Sequence, residues 1–458
     1  MADTICAIAT APGEAALGVI RLSGPSAIAA ADRVVRLQSG QPLTALEDRR
    51  ISVGLVADES QHSIIDEVLI TVMRAPKSYT REDMVEVSCH GSPHVLKRIL
   101  GLLLASDVRL AQPGEFTRRA FLNGRIDLTQ AEAVMDVIRA QSDASAREAV
   151  AQLRGGLSAE IRGLQERLVG LLVEVEASID FSEEGLEFLP REALVESIKE
   201  ALREIRRLLA TADRGRIVCK GASVVIVGRP NVGKSSLLNV LLRENRAIVT
   251  PIPGTTRDTI EEVTDLGGIA VRLSDTAGLR QTHDPVEVEG IRRTKEAAET
   301  ADLILAVFDG SEPLADDDHA LFTELSGRPV IAVVNKADLP QRADTSVIGR
   351  ALGANAVQPV ATLTRQGIDT LISKIMGRLN GGIASKEGAL VTKLRHVEAL
   401  TRAEGSLLHL EETVDERGPH ECIALDLRAA VDSLGEILGT VATEDVLNEI
   451  FSKFCIGK

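Results

Sequence analysis

The stretch Gly228-Arg-Pro-Asn-Val-Gly-Lys-Ser235 has a spacing suited to polyphosphate chemistry. Its glycines let the backbone curl so that successive N–H groups face an anion, and the loop opens into what reads as a helix N-terminus. Lys234 would reach the β- and γ-phosphates of a nucleotide, and the Ser235 hydroxyl would hold Mg2+. Three further short motifs lie downstream, each with a role beside a triphosphate. In Gly254-Thr-Thr-Arg-Asp258, Thr256 is expected to add a second hydroxyl to Mg2+, so that its loop orders with nucleotide state. In Asp275-Thr276-Ala277-Gly278, the carboxylate would hold the metal through water and the Gly278 N–H would touch the γ-phosphate. In Asn335-Lys336-Ala-Asp338, the two polar side chains suit guanine, the Asp338 carboxylate taking hydrogen bonds from the ring N–H and the exocyclic amine. Adenine offers neither donor there, so GTP is expected over ATP.

The expected nucleotide contacts begin with Asn231, Val232, Gly233, Lys234, Ser235 and Ser236 in the loop. A second group is Thr250, Pro251, Ile252, Pro253, Gly254, Thr255 and Thr256. The rest are Asp275, Thr276, Ala277, Gly278, Asn335, Lys336 and Asp338. Leu279 stands where Ras-like enzymes place the glutamine that orients the attacking water, so hydrolysis needs another device. Asn231 is either a loop-turn residue or the ligand of a monovalent cation that neutralises developing charge. Glu287 is either a solvated charge or a catalytic carboxylate.

These motifs need a scaffold of alternating strands and helices. Apolar runs at Val224–Val227, Ile269–Leu273, Leu303–Phe308 and Val330–Val334, with a helix face at Ile368, Leu371, Ile372, Ile375 and Met376, predict a doubly wound α/β domain over 217–379. Before it the period is helical. Thr129-Gln-Ala-Glu132 has the form of a capping box, and Leu157, Ile161, Leu164, Leu168, Leu171 and Val175 make one stripe. Pro190 introduces another stripe, Leu194, Ile198, Leu202, Ile205 and Leu209. After the linker Gly381-Gly382 helical spacing resumes at Leu400, Ala403, Leu407, Leu410 and Val414, then at Leu427, Val431, Leu434 and Leu438. The stripes are bundle core or a dimer seam, and the pattern predicts one helical domain, 120–216 plus 380–458, with the α/β domain inserted. Residues 1–119 read as a separate mixed α/β domain, with strands at Glu67–Met73 and Met84–Ser88. There Arg21, Glu86 and His90 are solvated strand-edge groups or part of a pocket.

The 458 residues fit about three domains. The five scattered cysteines lack disulfide or zinc spacing, and Cys455 is either a buried small side chain or a thiolate beside Lys458. No apolar run approaches the roughly 18 residues of a membrane span, and the N-terminus lacks the charge pattern of a signal peptide, so a cytoplasmic protein is expected. A net charge of −15, one Tyr, eight Phe and no Trp argue against a large basic or aromatic nucleic-acid surface on the chain alone.

The whole chain resembles the tRNA-modifying GTPase family called MnmE or TrmE. The likeness rests on DTICAIAT at the start, SYTREDMVEVSCHG at Ser78–Gly91, PGEFTRRAFLNGRIDLTQAEA at Pro113–Ala133, the four nucleotide motifs and the final FCIGK. The resemblance implies an N-terminal folate-binding and dimerisation domain, a discontinuous helical domain and an inserted Ras-like P-loop G domain. It implies that Arg21, Glu86, Arg125 and Lys458 contact 5-formyl- or methylene-tetrahydrofolate. It further implies that Asn231, with backbone oxygens of Thr250, Ile252 and Thr255, ligates K+ when two G domains meet, and that Glu287 orients the attacking water. The implied assembly is a homodimer working on tRNA with a separate FAD-binding, NADH-using subunit of the MnmG or GidA type, as a heterotetramer or larger. Together they would place an aminomethyl-type group on C5 of the wobble uridine. The sequence departs from the family at Arg81, where glycine is usual, and at Ala361-Thr-Leu363, which stands for the last guanine-contact motif. A ribosome-assembly GTPase switch is the rival, but no basic segment with a GxxG loop follows Gly381.

Overall fold

The computed structural model describes residues 3–58, 63–180, 190–244, 261–275, 301–353, 356–379 and 388–458. The chain divides into two compact units, Met1–Met135 with Val431–Lys458, and Asp136–Ala430.

The first unit is built on a seven-stranded sheet of β1 (Ile5–Ile8), β2 (Ala15–Ser23), β3 (Val35–Leu37), β4 (Ile51–Asp58), β5 (Ser63–Met73), β6 (Met84–Gly91) and β7 (Arg109–Leu110). The order is β3-β4-β5-β6-β2-β1-β7, antiparallel except where β7 runs parallel to β1. Both expected strands fall inside β5 and β6. Alternation sends Leu22, Val72, Val85 and Val87 to one face, where they pack with Leu96, Ile99 and Leu103 of the helix Pro93–Leu104. Each such side chain, fully buried, contributes roughly 1.5–3 kcal/mol. The opposite face carries Arg21, Glu86 and Thr71 in one register row with Ile51. At one end Phe116, on the helix Glu115–Leu122, covers this face together with Ile5, Ala7 and Met84.

The chain's last segment folds against its first. Phe451 and Phe454, from the helix Glu444–Ser452 and just beyond it, pack with Leu128, Ala131 and Met135. Two glycines permit this. A Cβ on Gly114 (φ 69°) would lie 2.6 Å from the Phe451 carbonyl oxygen, and one on Gly457 (φ 94°) would lie 2.4 Å from the Ile8 carbonyl oxygen. The helix Leu128–Arg139 begins one residue before the expected capping box. Asp127 is the cap instead. Its carboxylate accepts the Gln130 N–H at 3.0 Å, the Gln130 side chain accepts the Asp127 N–H at 3.0 Å, and Thr129 donates to the same carboxylate at 2.8 Å. Asp is as good a cap as Thr, and starting at Asp127 lets Leu128 reach the core.

The second unit holds a six-stranded sheet of β8 (Ala222–Val227), β9 (Glu261–Leu266), β10 (Ile269–Asp275), β11 (Leu303–Asp309), β12 (Val330–Asn335) and β13 (Val357–Pro359). The order is β13-β12-β11-β8-β10-β9, parallel except for β9. Ile226, Leu305 and Val333 face one apolar cluster with Leu371 and Ile375, while Val225, Ala306 and Val334 face another with Phe322 and Ile348, so both faces are covered as the apolar runs require. The helices Gly156–Asp180, Arg191–Leu209 and Leu394–Asp415 bury the stripes foreseen for them, with Leu208 rather than Leu209 fully buried and Leu171 half-buried. Arg206 pairs with Glu404 at 2.6 Å, joining helices from either side of the sheet-forming segment. The α/β domain is therefore an insertion in a helical one. Gly381 and Gly382 lie outside the described residues. Among the described residues no helix is long and apolar enough to cross a membrane.

Candidate functional site

In the second unit, β8 delivers the chain into the phosphate loop and the helix Lys234–Glu244 leaves it. Gly228 (φ 150°), Asn231 (φ 61°) and Gly233 (φ 99°) give the loop its curl, and Val232 plugs it into the core. Lys234, buried, donates to the carbonyl oxygens of Gly228 at 2.8 Å and Arg229 at 2.7 Å, which aligns the ammonium along the loop. Ser235 and Ser236 are exposed at the helix start. Glycine at 233 is required by a neighbour as well as by its φ, because a Cβ there would lie 2.2 Å from Asn335 Nδ2.

Asn335 ends β12 and is only 1% exposed. Its amide donates to the Val232 carbonyl oxygen at 2.9 Å, and its side-chain oxygen accepts the Thr362 N–H at 3.2 Å. One amide thus ties the phosphate loop to the Ala361-Thr-Leu363 turn. Lys336 (φ 63°) pairs with Asp309 at 2.5 Å. Burial works to raise the Asp309 carboxyl, but Lys336 and the Ser311 hydroxyl and N–H outweigh it and hold the group below the usual carboxylate range. Asp338 stays exposed. The structure therefore brings Asn231–Ser236, Asn335 and Lys336 onto one loop cluster at the sheet's carboxyl edge. Asp275 ends β10. Thr250, Pro251, Ile252, Pro253, Gly254, Thr255, Thr256, Thr276, Ala277, Gly278, Leu279 and Glu287 lie outside the described residues.

The first unit holds a second cluster, drawn from both ends of the chain. Arg21 and Glu86 face each other across β2 and β6, and Arg21 Nε and Nη2 reach Glu86 Oε1 at 2.8 and 2.7 Å. Arg21 Nη1 also donates to the Gly457 carbonyl oxygen at 3.4 Å, which sets Lys458 beside the pair. Burial first, then the charge of Arg21, push the Lys458 ammonium below the usual lysine value, against the opposing pull of Glu86 and Cys455. Arg125, exposed, donates to the Tyr79 carbonyl oxygen at 2.8 Å and lies 4.7 Å from the Tyr79 ring centre. The guanidinium of Arg21 is 5.6 Å from the Tyr79 ring and 5.8 Å from that of Phe116. Arg119 locks the covering helix through Glu82 at 3.1 Å, Glu115 at 3.0 Å and Asp3 at 2.6 Å.

Sequence reasoning named Arg21, Glu86, Arg125 and Lys458 but passed over Tyr79 and Phe116, both within stretches that carry the resemblance. Tyr79 carried a signal in its rarity, being the only tyrosine, whereas Phe116 is one of eight phenylalanines and carried none. His90 is away from this cluster, bonded to Asp66 at 2.7 Å on an exposed strand end. Cys455 is exposed, which overturns the reading of it as a buried small side chain. The chain turns out of the core after Phe454, and the Cys455 carbonyl oxygen accepts the N–H of Gly114 at 3.4 Å and of Lys458 at 3.3 Å.

The cluster presents three cationic side chains, one carboxylate and two aromatic rings in a half-buried site, a donor set that fits an anionic heteroaromatic ligand. The phosphate loop fits a nucleotide with Mg2+ on Ser235.

Comparison with known proteins agrees over the full length. The family model described as the MnmE helical domain matches residues 128–455, and that described as the GTP-binding protein TrmE N-terminus matches residues 4–125. The tRNA modification GTPase MnmE of Thermoanaerobacter pseudethanolicus is 44% identical over 457 residues, covering 100% of this chain and 99% of that protein. That of Symbiobacterium thermophilum is 46% identical over 457 residues, with the same shares covered. A crystal structure of Aquifex aeolicus Era with GDP and aluminium fluoride is 26% identical, over 41% of this chain and 67% of that one, at a TM-score of 0.29, too low to argue from. With both family models and full-length relatives in agreement, the chain belongs to the MnmE family of tRNA modification GTPases.

Proposed function

We propose that this GTP hydrolase acts in tRNA modification as a K+-activated switch. With an FAD-dependent partner of the MnmG or GidA type, it would add a carboxymethylaminomethyl or aminomethyl group to C5 of the wobble uridine, using a folate one-carbon unit. The proposed division of labour follows the segments 1–119 for folate and dimerisation, 120–216 with 380–458 for the helical domain, and 217–379 for the G domain. The observation that carries the reading is the convergence of Arg21, Glu86, Arg125 and Lys458, far apart in sequence, around one tyrosine.

Arg125 and Lys458 suit the paired carboxylates of a folate tail, and Glu86 suits the N–H and amine edge of a pterin. Bound folate would supply the carbon at the formyl oxidation level or the methylene level. A homodimer is supported by the same sheet face, where Leu17, Ile51, Val53 and Leu69 stand exposed beside the row of Arg21 and Glu86. In the G domain, Lys234 and the loop N–H groups would hold the phosphates, with Ser235 and Thr256 on Mg2+ and Asp275 behind it through water. Asn231, exposed in a left-handed conformation, would offer its side-chain oxygen to K+ together with Thr250, Ile252 and Thr255. That ion would supply positive charge where the transition state needs it, and Glu287 would orient water through a second water.

The test is mass spectrometry of wobble nucleosides from cells lacking this protein. Loss of the C5 modification, restored by the unaltered chain but not by Arg21→Ala, is the expected result. Unchanged nucleosides would remove the modifying role. Calorimetry with 5-formyltetrahydrofolate tests the pocket itself, with binding expected for the unaltered protein and weakened in Arg21→Ala.

A further inference from the structure

Tyr79 is the single tyrosine of a chain without tryptophan, and it stands where the cationic residues of the first unit meet. Among the described residues no carboxylate pairs with Arg125. What holds it is the Tyr79 carbonyl oxygen at 2.8 Å and the Tyr79 ring at 4.7 Å. Arg21 reaches the same ring from 5.6 Å. Two guanidinium groups of like charge are therefore drawn to one π system, which offsets the repulsion that would otherwise send the exposed one into water.

The ring is itself fixed. Its hydroxyl shares a hydrogen bond of 2.9 Å with Thr117 Oγ1, a fully buried group on the covering helix. The turn that carries it is pinned on both sides. Thr80 Oγ1 lies 2.6 Å from Ser23 Oγ, the Thr80 carbonyl oxygen accepts Asn123 Nδ2 at 2.6 Å, and Ser23 Oγ donates to Glu82 at 2.7 Å. Arg81, in the left-handed region at φ 59°, donates to the Asn123 carbonyl oxygen at 3.0 Å. A turn so heavily bonded sets the ring at a constant place relative to β2 and β6.

We propose that Tyr79 is a positioning residue of the folate pocket, holding the Arg21 and Arg125 guanidinium groups together so that they meet the ligand as a preset pair. The proposal rests on the folate reading above and adds to it a residue that acts through two others. Because no other tyrosine or tryptophan is present, the intrinsic fluorescence of the whole protein reports on this one position.

The experiment is calorimetry of the full-length protein with 5-formyltetrahydrofolate, comparing Tyr79→Phe, Tyr79→Leu, Arg125→Ala and the Tyr79→Leu/Arg125→Ala double variant. Keeping the ring should keep affinity, so Tyr79→Phe is expected within about threefold of the unaltered protein and Tyr79→Leu about tenfold weaker. The two single losses should not add in the double variant, because the ring has less to position once Arg125 is gone. Fluorescence gives a second readout that needs no variant. Tyrosine emission, corrected for ligand absorbance with free N-acetyltyrosinamide, should fall on titration with 5-formyltetrahydrofolate. If the unaltered protein binds no 5-formyltetrahydrofolate, the pocket and the proposal fall together. If it binds but emission stays constant at saturation, Tyr79→Leu binds equally well, or the losses add in full, the role of Tyr79 is overturned while the pocket stands.

Discussion

Replacing Asn335 by alanine deletes the one amide that joins the phosphate loop to the 361–363 turn. The amide donates to Val232 at 2.9 Å and accepts from Thr362 at 3.2 Å, so two backbone groups lose their partner. A buried polar group left unmet costs about 1–3 kcal/mol. The Thr362 bond is long and belongs at the low end, which puts the sum at about 2–4 kcal/mol. Both bonds tie the G domain's own backbone together, so most of the loss falls on the stability of that domain. The remainder is lost preorganisation of the loop, and about 1 kcal/mol of it would lower GDP affinity about fivefold. Asn335→Asp should be worse than Asn335→Ala. It keeps the acceptor for Thr362 but sets a buried carboxylate against the Val232 carbonyl oxygen. Calorimetry with GDP, GTP and inosine triphosphate, and hydrogen exchange of the Gly228–Ser235 amides, supply the measurements. We expect guanine and inosine nucleotides to weaken by the same factor and exchange in the loop to speed up. Unchanged affinity with unchanged exchange, or a loss confined to guanine nucleotides, would refute the argument that Asn335 acts by holding the loop.

GTP hydrolysis is expected to be much faster in KCl than in NaCl at matched ionic strength, from Asn231 in the loop and the leucine at 279; equal rates would discard the cation. Glu287→Ala should bind GTP normally and turn it over slowly, and an unaltered single-turnover rate would take Glu287 out of the mechanism. The Asp309–Lys336 pair should make stability pH-dependent. The folded Asp309 value lies below the unfolded one, so its contribution is full above the unfolded carboxylate range near pH 4 and is lost as pH falls through the folded value. Lys336→Met should therefore lower the thermal midpoint at pH 7 and converge on the unaltered protein in acid, and a pH-independent difference would contradict the pairing.

The central strands of the G domain were legible because a strand buried on both faces reads as a continuous apolar run, and Leu303–Asp309 and Val330–Asn335 are buried throughout and apolar up to the polar residue that ends each. The outer strands were not. β9 reads Glu-Glu-Val-Thr-Asp-Leu, as an edge strand with one wet side can, and β13 is three residues long. Helical stripes were legible for the same reason as the buried strands, since period follows burial. Helix starts were less so. Asp127-x-x-Gln130 and Thr129-x-x-Glu132 both satisfy the capping pattern, and the choice between them is made by Leu128, whose side chain must reach the core formed with Phe451 and Phe454.

The nucleotide loop and the Tyr79 cluster differ in how their chemistry is encoded. The loop is contiguous, so spacing alone marks Gly228 to Ser235. The cluster joins positions 21, 79, 86, 116, 125, 457 and 458, and no local rule spans them; the resemblance, not the spacing, named four of them. Its geometry nonetheless follows from apolar burial. Leu22 and Val85 pair across β2 and β6 and must face the helix Pro93–Leu104, and by alternation Arg21 and Glu86 must then face the other way, opposite each other. A one-residue slip of β2 would bury Arg21 among Ile99 and Leu103 and expose Leu22. The cost of that slip, a buried unpaired guanidinium plus the lost burial of several aliphatic side chains, is far larger than what the Arg21–Glu86 ion pair contributes. The apolar face therefore sets the register, and the polar site is its consequence.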